Sequence, residues 1–265
     1  MKHASSFAQT NVQLFNQLRS EGYAKPEICF VWKTYEFGMR LFSGLFLPSG
    51  KTFIDHLVGT ASILAWLRMP VEIVAAGLIH AAYRHGEFGD GREGVSESKR
   101  KQVRIAVGNQ SEEYVARYDR LVWKPARILI LRDTLDQLNP IEREVLLIRL
   151  ANELEHHLDL GALYAAQSPD AQAGHQRFIE RHGPIMVKMA EDLGFLSLAA
   201  EMERVFSHAI SARLPVGPYV RSNRRMAYLV ASRSYRTRLW IAAYQKLLHG
   251  CRLASKGLRR LTAQP

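Results

Sequence analysis

Two histidines in this chain are spaced so that they could share a task. His56 lies in SGKTFIDHLVGTASILAWL (49–67) and His80 in VAAGLIHAAY (74–83), 24 residues apart, with Met69-Pro70 between them. Both segments repeat their apolar residues at intervals of three and four, which places the pair on two consecutive helices joined by a turn. Folded as an antiparallel hairpin, these helices can aim both imidazoles into one cleft, where a neutral imidazole serves as metal ligand, acid or base. Taken singly, either histidine is as readily a hydrogen-bonded residue of the core or surface, because histidine is intermediate in burial. Beside His80 stand Tyr83, Arg84 and His85, whose donors and positive charge suit a phosphate or carboxylate. The alternative is that these polar side chains tie the hairpin together as a buried network.

A second polar stretch begins within RLANELEH (149–156) and carries Glu153, Glu155, His156, His157 and Asp159. By itself it is expected to be a solvated helix face, with lining of the cleft as the alternative. Glu155 and His156 lie one turn beyond Asn152, and Glu87 and Asp90 just past His85, so a metal site could be assembled from His56, His80, His85 and one of these acids. Other chemistry finds little footing. There is no G-x-x-x-x-G-K-[ST], no G-x-G-x-x-G before a helix, no H-E-x-x-H and no G-x-S-x-G, and GDGREG (89–94) is too loose for a phosphate cradle. Cys29 and Cys251 are too few for a disulfide framework or a cysteine zinc site and are expected to be buried or half-buried thiols.

The elements that must position these residues are helices. With 265 residues, 47% hydrophobic and 23% charged, the chain is that of a folded protein able to bury a core. Apolar recurrences at helical spacing mark 12–22, 27–45, 51–67, 71–83, 96–106, 111–121, 141–158, 171–193 and 196–210, with Asn139-Pro140, Ser49-Gly50 and Gly194 as punctuation. WKPARILIL (123–131) is the best candidate for a short β-like excursion, and the glycine-rich 86–94 for a flexible loop. The fold class predicted is all-α: a helical domain over 1–210 followed by a basic tail over 211–265. The absence of a long uncharged apolar run argues against a membrane span, and MKHASSFAQTNVQ lacks the apolar stretch of a signal peptide, so a cytoplasmic protein is expected.

These segments carry a resemblance. In order along the chain, SGKTFIDHLVGTASILAWL, VAAGLIHAAY, RLANELEH and VKMAEDLGFLSLAAEMERVF (187–206) are similar to the HD superfamily, specifically the helical hydrolase domain of the RelA/SpoT alarmone enzymes. The likeness covers about residues 10 to 210. A nearer resemblance is to an uncharacterised HD-like branch, met by HLVGTASIL, AGLIHAAY and VGNQSEEYV (107–115), from which no activity transfers. The alarmone hydrolases bind a divalent metal such as Mn²⁺ through two histidines and two aspartates. The resemblance therefore implies His56 and His80 as metal ligands, but the aspartate positions hold Ala81 and Asn152. The acidic pair that handles the attacking water is replaced by Arg84 and His85, and the basic residue that packs on guanine falls at Leu47 or Pro48.

These departures imply a retained fold whose ancestral reaction is lost. The expectation is a binding or regulatory module without cofactor, whose cleft of His56, His80, Tyr83, Arg84, His85 and Asn152 takes a small anionic ligand. The alternative is a divergent metal-dependent phosphohydrolase with substitute ligands. The charge supplies a second expectation. Residues 1–203 hold 23 Lys and Arg against 25 Asp and Glu, whereas 204–265 hold 13 Lys and Arg and no acid. Arg221, Arg224, Arg225, Arg233, Arg236, Arg238 and Lys246, interleaved with Trp240 and other aromatics, suit peripheral docking to an anionic membrane at its inner face in preference to nucleic acid. An apolar stripe packed on the body, with arginines in water, meets the same pattern.

Overall fold

Helix starts follow the capping chemistry of the sequence. α1 (Asn11–Ser20) begins at Thr10, whose hydroxyl accepts from Gln13 N while the Gln13 side chain accepts from Thr10 N. α2 (Lys25–Phe42) carries Pro26 in its first turn, and α3 (Phe53–Trp66) is capped by the Thr52 hydroxyl on Asp55 N at 3.2 Å. Pro70 precedes α4 (Val71–Ile79), and the single turn α5 (Ala82–His85) follows it. Ser96 caps α6 (Glu97–Arg120). Then come α7 (Pro125–Asp133), a 3-10 turn (Leu135–Gln137) and α8 (Pro140–Leu158), which opens with a reciprocal Asn139–Glu142 capping box. α9 (Gly161–Ala165), α10 (Pro169–Asp192) and α11 (Leu196–Ser211) complete the order.

A computed structural model describes residues 7–47, 49–165 and 169–212. Among the described residues no strand occurs beyond one isolated antiparallel bridge between Phe46 and Thr52, so the protein is all-α there. No helix among them is long and apolar enough to cross a membrane.

The α3/α4 hairpin is the centre of the packing. Every residue from His56 to Ala65 and from Ile73 to Tyr83 is buried, which a helix achieves only when neighbours cover all its faces. α3 packs on α1, α4 and α8, while α4 packs on α2, α6 and α8. One apolar core runs from Phe7 to Ala209, and α10 and α11 close it as an antiparallel pair. Polar groups on α3, α4 and α8 are thus drawn into an apolar interior, where each needs a partner.

Four local expectations change. The segment 123–131 is not β-like: Pro125 starts a helix, and Ile128 and Leu131, three apart, are buried while Leu129 and Ile130 are exposed. Helical spacing therefore governs a stretch whose apolar run alone could not distinguish the two. The segments 96–106 and 111–121 form one element interrupted at Gly108, whose φ of 76° breaks the helical path. The 86–94 loop has no regular structure but is tied down. Lys99, 2% exposed, donates to the carbonyls of Arg92 and Gly94, and Gly94 N donates to Tyr83 O at 2.8 Å. Cys29 is exposed rather than buried, and Cys251 lies outside the described residues.

The α7 assignment has a direct check. Ile128→Ala should destabilise the protein by about 2–4 kcal/mol, and Ile130→Ala by less than about 0.5 kcal/mol, in denaturant unfolding. Equal effects, or the reverse order, would contradict the helical register.

Candidate functional site

The first turn of α3, the end of α4 and the middle of α8 bring their polar side chains to one point. His56, His80, Asn152 and Glu155 are 2%, 4%, 2% and 1% exposed. The His56 Nδ1–H donates to the Glu155 carboxylate, and Lys51 donates to its other oxygen. The His56 ring stacks on His156 at 4.4 Å between centroids and stands edge-on to His80 at 5.5 Å. His80 Nδ1 donates to the carbonyl of Gly77 at 2.7 Å, which leaves Nε2 as an acceptor facing the Asn152 amide nitrogen at 3.3 Å. The other side of the Asn152 amide is different: its Oδ1 is buried without a hydrogen-bond partner. Tyr118 packs its ring on His80 at 4.7 Å and accepts from Arg149, which also pairs with Glu153 on the same helix.

Glu155 reaches this position because Gly59 has no side chain. A Cβ there would come within 2.7 Å of the Glu155 Cγ and Oε1, so the glycine of HLVGT is the opening through which α8 places a carboxylate against α3. Thr60, beside it, returns its hydroxyl to the His56 carbonyl at 3.1 Å. Phe53, one turn before His56, stacks on Phe42 at 5.2 Å and puts its edge to the imidazole at 5.9 Å, which walls the cluster from solvent on that side.

Burial sets the charge states. Desolvation, with Lys51 and Arg149 adding to it, lowers His56 to about 3, and desolvation together with His56 lowers His156 to about 3. Desolvation, with His56 next, takes His80 well below its ordinary value. All three imidazoles are neutral at pH 7. Desolvation raises Glu155 to about 6 against the opposing pull of Lys51, so its carboxylate is ionised at pH 7 and Lys51 is its counter-charge. Burial also works to raise Glu153, but the Arg149 guanidinium outweighs it and holds the carboxyl below its usual range.

A pocket of about 260 Å³ opens on the far side of Glu155. Leu47, Ser49, Lys51, His156, Asp159 and Gly161 are among its walls. One donor atom each from His56, Glu155 and His156 lies within 4.8 Å of the others, an arrangement able to hold a metal ion.

His56 and His80 therefore meet as their spacing predicts, and Asn152, which the resemblance sets beside them, joins them. The remaining cleft candidates do not join them. Tyr83 turns to α6, where its hydroxyl donates to Glu112 at 2.6 Å, and Arg100 and Arg104 also grip that carboxylate. Arg84 is exposed and lies along Asp119, and His85 is exposed against Phe53. Glu87 accepts from Gly89 N, and Asp90 pairs with Lys99, so neither acid reaches the histidines. The α8 stretch is not a solvated face, because Glu153, Glu155 and His157 are all buried. Lys51 and Tyr118 were missed altogether, and only the placement of Lys51 between Ser49-Gly50 and His56 hinted at the former. Arg221, Arg224, Arg225, Arg233, Arg236, Arg238, Trp240 and Lys246 lie outside the described residues.

Residues 44–121 match a family described as a domain of unknown function (DUF6817). The matched span takes in α3 to α6, with His56, Gly59, His80, Tyr83 and Glu112, but ends before α8 brings Asn152, Glu155 and His156. None of the curated proteins matches the chain.

The buried histidines tie stability to pH. In the unfolded chain imidazoles take up protons near pH 6.5, whereas His56 and His156 resist until about 3. Between those values the unfolded state binds more protons, so stability falls as pH falls. Glu155 acts oppositely between its ordinary 4.5 and about 6, where the folded form takes the proton first. Three histidines outweigh one carboxyl, so the melting temperature should drop steadily from pH 7 to 5. The drop should shrink in a His56→Gln/His156→Gln double variant; an identical profile in that variant would sink the account.

Proposed function

We propose that this chain is a divergent HD-type phosphohydrolase whose cleft holds a divalent cation on His56, Glu155 and His156 and a small phosphorylated ligand beside Lys51. The observation that carries this reading is the convergence of those three donor groups, two of which, Glu155 and His156, line the pocket. Two imidazoles and one carboxylate match the donor set of catalytic zinc sites and of non-haem iron(II) sites. Mn²⁺, which the resemblance implies, prefers more oxygen donors, and the implied set of His56, His80, residue 81 and residue 152 offers no carboxylate. The unpartnered Oδ1 of Asn152 adds a neutral oxygen within the same cluster.

Charge supports a cation ahead of a bare anion. With the imidazoles neutral, the pocket sets the single positive charge of Lys51 against Glu155 and Asp159, an excess of negative charge that repels a phosphate. A divalent cation would reverse that sign, polarise a phosphoryl oxygen and acidify a bound water. The protein's own groups have separate tasks. His56 and His156 present neutral imidazoles, Glu155 supplies the balancing carboxylate, and Gly59 keeps that carboxylate in place. His80 has both ring nitrogens engaged and acts as a positioning residue against His56. A second reading, binding without turnover, is favoured by Ala81 and Asn152, which put no acid where the hydrolases have one.

Metal analysis and turnover separate the two. The purified protein should carry zinc or iron, lost in His56→Ala and His156→Ala but kept in His85→Ala, and should hydrolyse a simple phosphoester such as p-nitrophenyl phosphate. No manganese-dependent release of pyrophosphate from guanosine tetraphosphate is expected. Metal retention without turnover of any phosphoester would favour binding without turnover; absence of metal would overturn the metal-dependent hydrolase and leave the cofactor-free binding module.

The basic segment is proposed to hold the protein at an anionic membrane surface. Its 13 Lys and Arg face no acid over 204–265, and exposed charges act over only about 8 Å at physiological ionic strength. Full-length protein should sediment with phosphatidylserine vesicles at low salt and be released at high salt, and truncation after Ser211 should abolish the effect. Equal binding to neutral vesicles would refute the electrostatic anchor, and a nucleic-acid shift without vesicle binding would reassign the segment.

A further inference from the structure

Glu155 already holds a cation, the ammonium of Lys51. Lys51 donates to the buried Glu155 oxygen and lies 3.3 Å from Asp159 Oδ2, so it bridges two carboxylates of unequal exposure: the Glu155 side chain is 0% exposed and that of Asp159 47%. His56 meets Glu155 through a ring nitrogen, whereas Lys51 reaches the other carboxylate oxygen with its ammonium. A buried carboxylate with no counter-charge is strongly unfavourable, and among the contacts of Glu155 Lys51 supplies that charge. Glu155 is also the one anionic member of the His56–Glu155–His156 set. An ammonium and a dication on one buried carboxylate repel each other steeply at such separations.

Resting on the metal reading above, we propose that Lys51 is a built-in competitor for the cation site and, once displaced from it, the residue that recognises the phosphoryl group of the ligand. Without a dication Lys51 neutralises Glu155. When a dication takes Glu155, the ammonium moves outward on its flexible four-carbon stem. Asp159 is within reach for it at 3.3 Å, and the pocket lined by Ser49, Lys51, Asp159 and Gly161 lies beside it. The outward position adds positive charge to the ligand side of the pocket only when the metal is present. Metal and phosphoryl ligand are therefore coupled: each strengthens the binding of the other, by the same factor, because the linkage is reciprocal.

The test compares wild type with Lys51→Met in the full chain, using Zn²⁺ alone and then inorganic phosphate with and without Zn²⁺. Lys51→Met should bind Zn²⁺ about tenfold more tightly and lose about tenfold in zinc-dependent phosphate affinity, within the usual range of coupling between sites. Without metal the variant leaves Glu155 unpaired and should melt lower than wild type, and Zn²⁺ should raise its melting temperature by more than it raises that of wild type. This second readout serves even where the metal-free variant is only partly folded. Zinc affinity unchanged or weakened in Lys51→Met, with a zinc-induced shift no larger than that of wild type, would overturn the competitor role and leave the metal site standing. Failure of both proteins to bind Zn²⁺ would overturn the metal site itself, and the inference with it.

Discussion

The carboxylate of Glu155, held inside an apolar helical interior, constrains everything around it. A carboxylate so buried must have a counter-charge and hydrogen-bond donors. It finds them in Lys51 from the segment before α3 and in His56 from the first turn of α3. Gly59, one turn further along α3, leaves the space through which the side chain passes. Two parts of the chain about a hundred residues apart, 51–59 and the C-terminal half of α8, are therefore fastened by one group, and the register of α8 against α3 follows from it. Had α8 slipped by a residue, Leu154 or His156 would face Gly59 and the carboxylate would be left without partners.

The rest of the cluster is built outward from that contact. Stacking His156 on His56 and setting His80 at its edge places three imidazoles where none can be protonated near neutrality. Behind them Tyr118, Arg149 and Glu153 form a second polar layer, in which the guanidinium lies over the Trp123 ring at 5.0 Å. Buried polar layers of this kind are favourable only when nearly every member is satisfied. Asn152 Oδ1 and Arg149 Nε are buried exceptions here, and both lie in this cluster. Imidazoles, a carboxylate and an unpartnered carbonyl oxygen thus stand together beside an open pocket.

The matched family span ends before α7, and α8, which brings Asn152, Glu155 and His156 to the cluster, lies outside it. Residues 44–121 bring His56, His80 and the Tyr83–Glu112 pair, and the last of these is structural: Tyr83 points into α6 and is locked there with two arginines. Tyr83, Arg84 and His85 follow His80 within five residues, yet Tyr83 pairs with Glu112, Arg84 lies along Asp119 and His85 packs on Phe53, so none joins the histidine cluster. Adjacency in sequence proved a poor guide for them, while α8, some seventy residues distant, supplied Glu155 and His156.

Helical period, the Asn139-Pro140 helix start, the Gly194 stop and the His56/His80 hairpin were legible in the sequence because local residue types set them, whereas the Thr10 and Thr52 caps emerged only with the structure. The asymmetry of charge was legible too, as a simple property of composition. The nature of 123–131 was not, since an apolar run satisfies either period until a core exists for Ile128 and Leu131 to face. Nor could sequence alone separate a solvated α8 face from a buried one, because Glu153, Glu155 and His157 are polar either way, and burial is decided by what packs opposite. Only the tertiary structure set α3 against α8 and so paired Glu155 with Lys51 and His56. Which polar groups share an interior is a matter of long-range packing, where the cost of an unpaired charge selects the one docking that satisfies it.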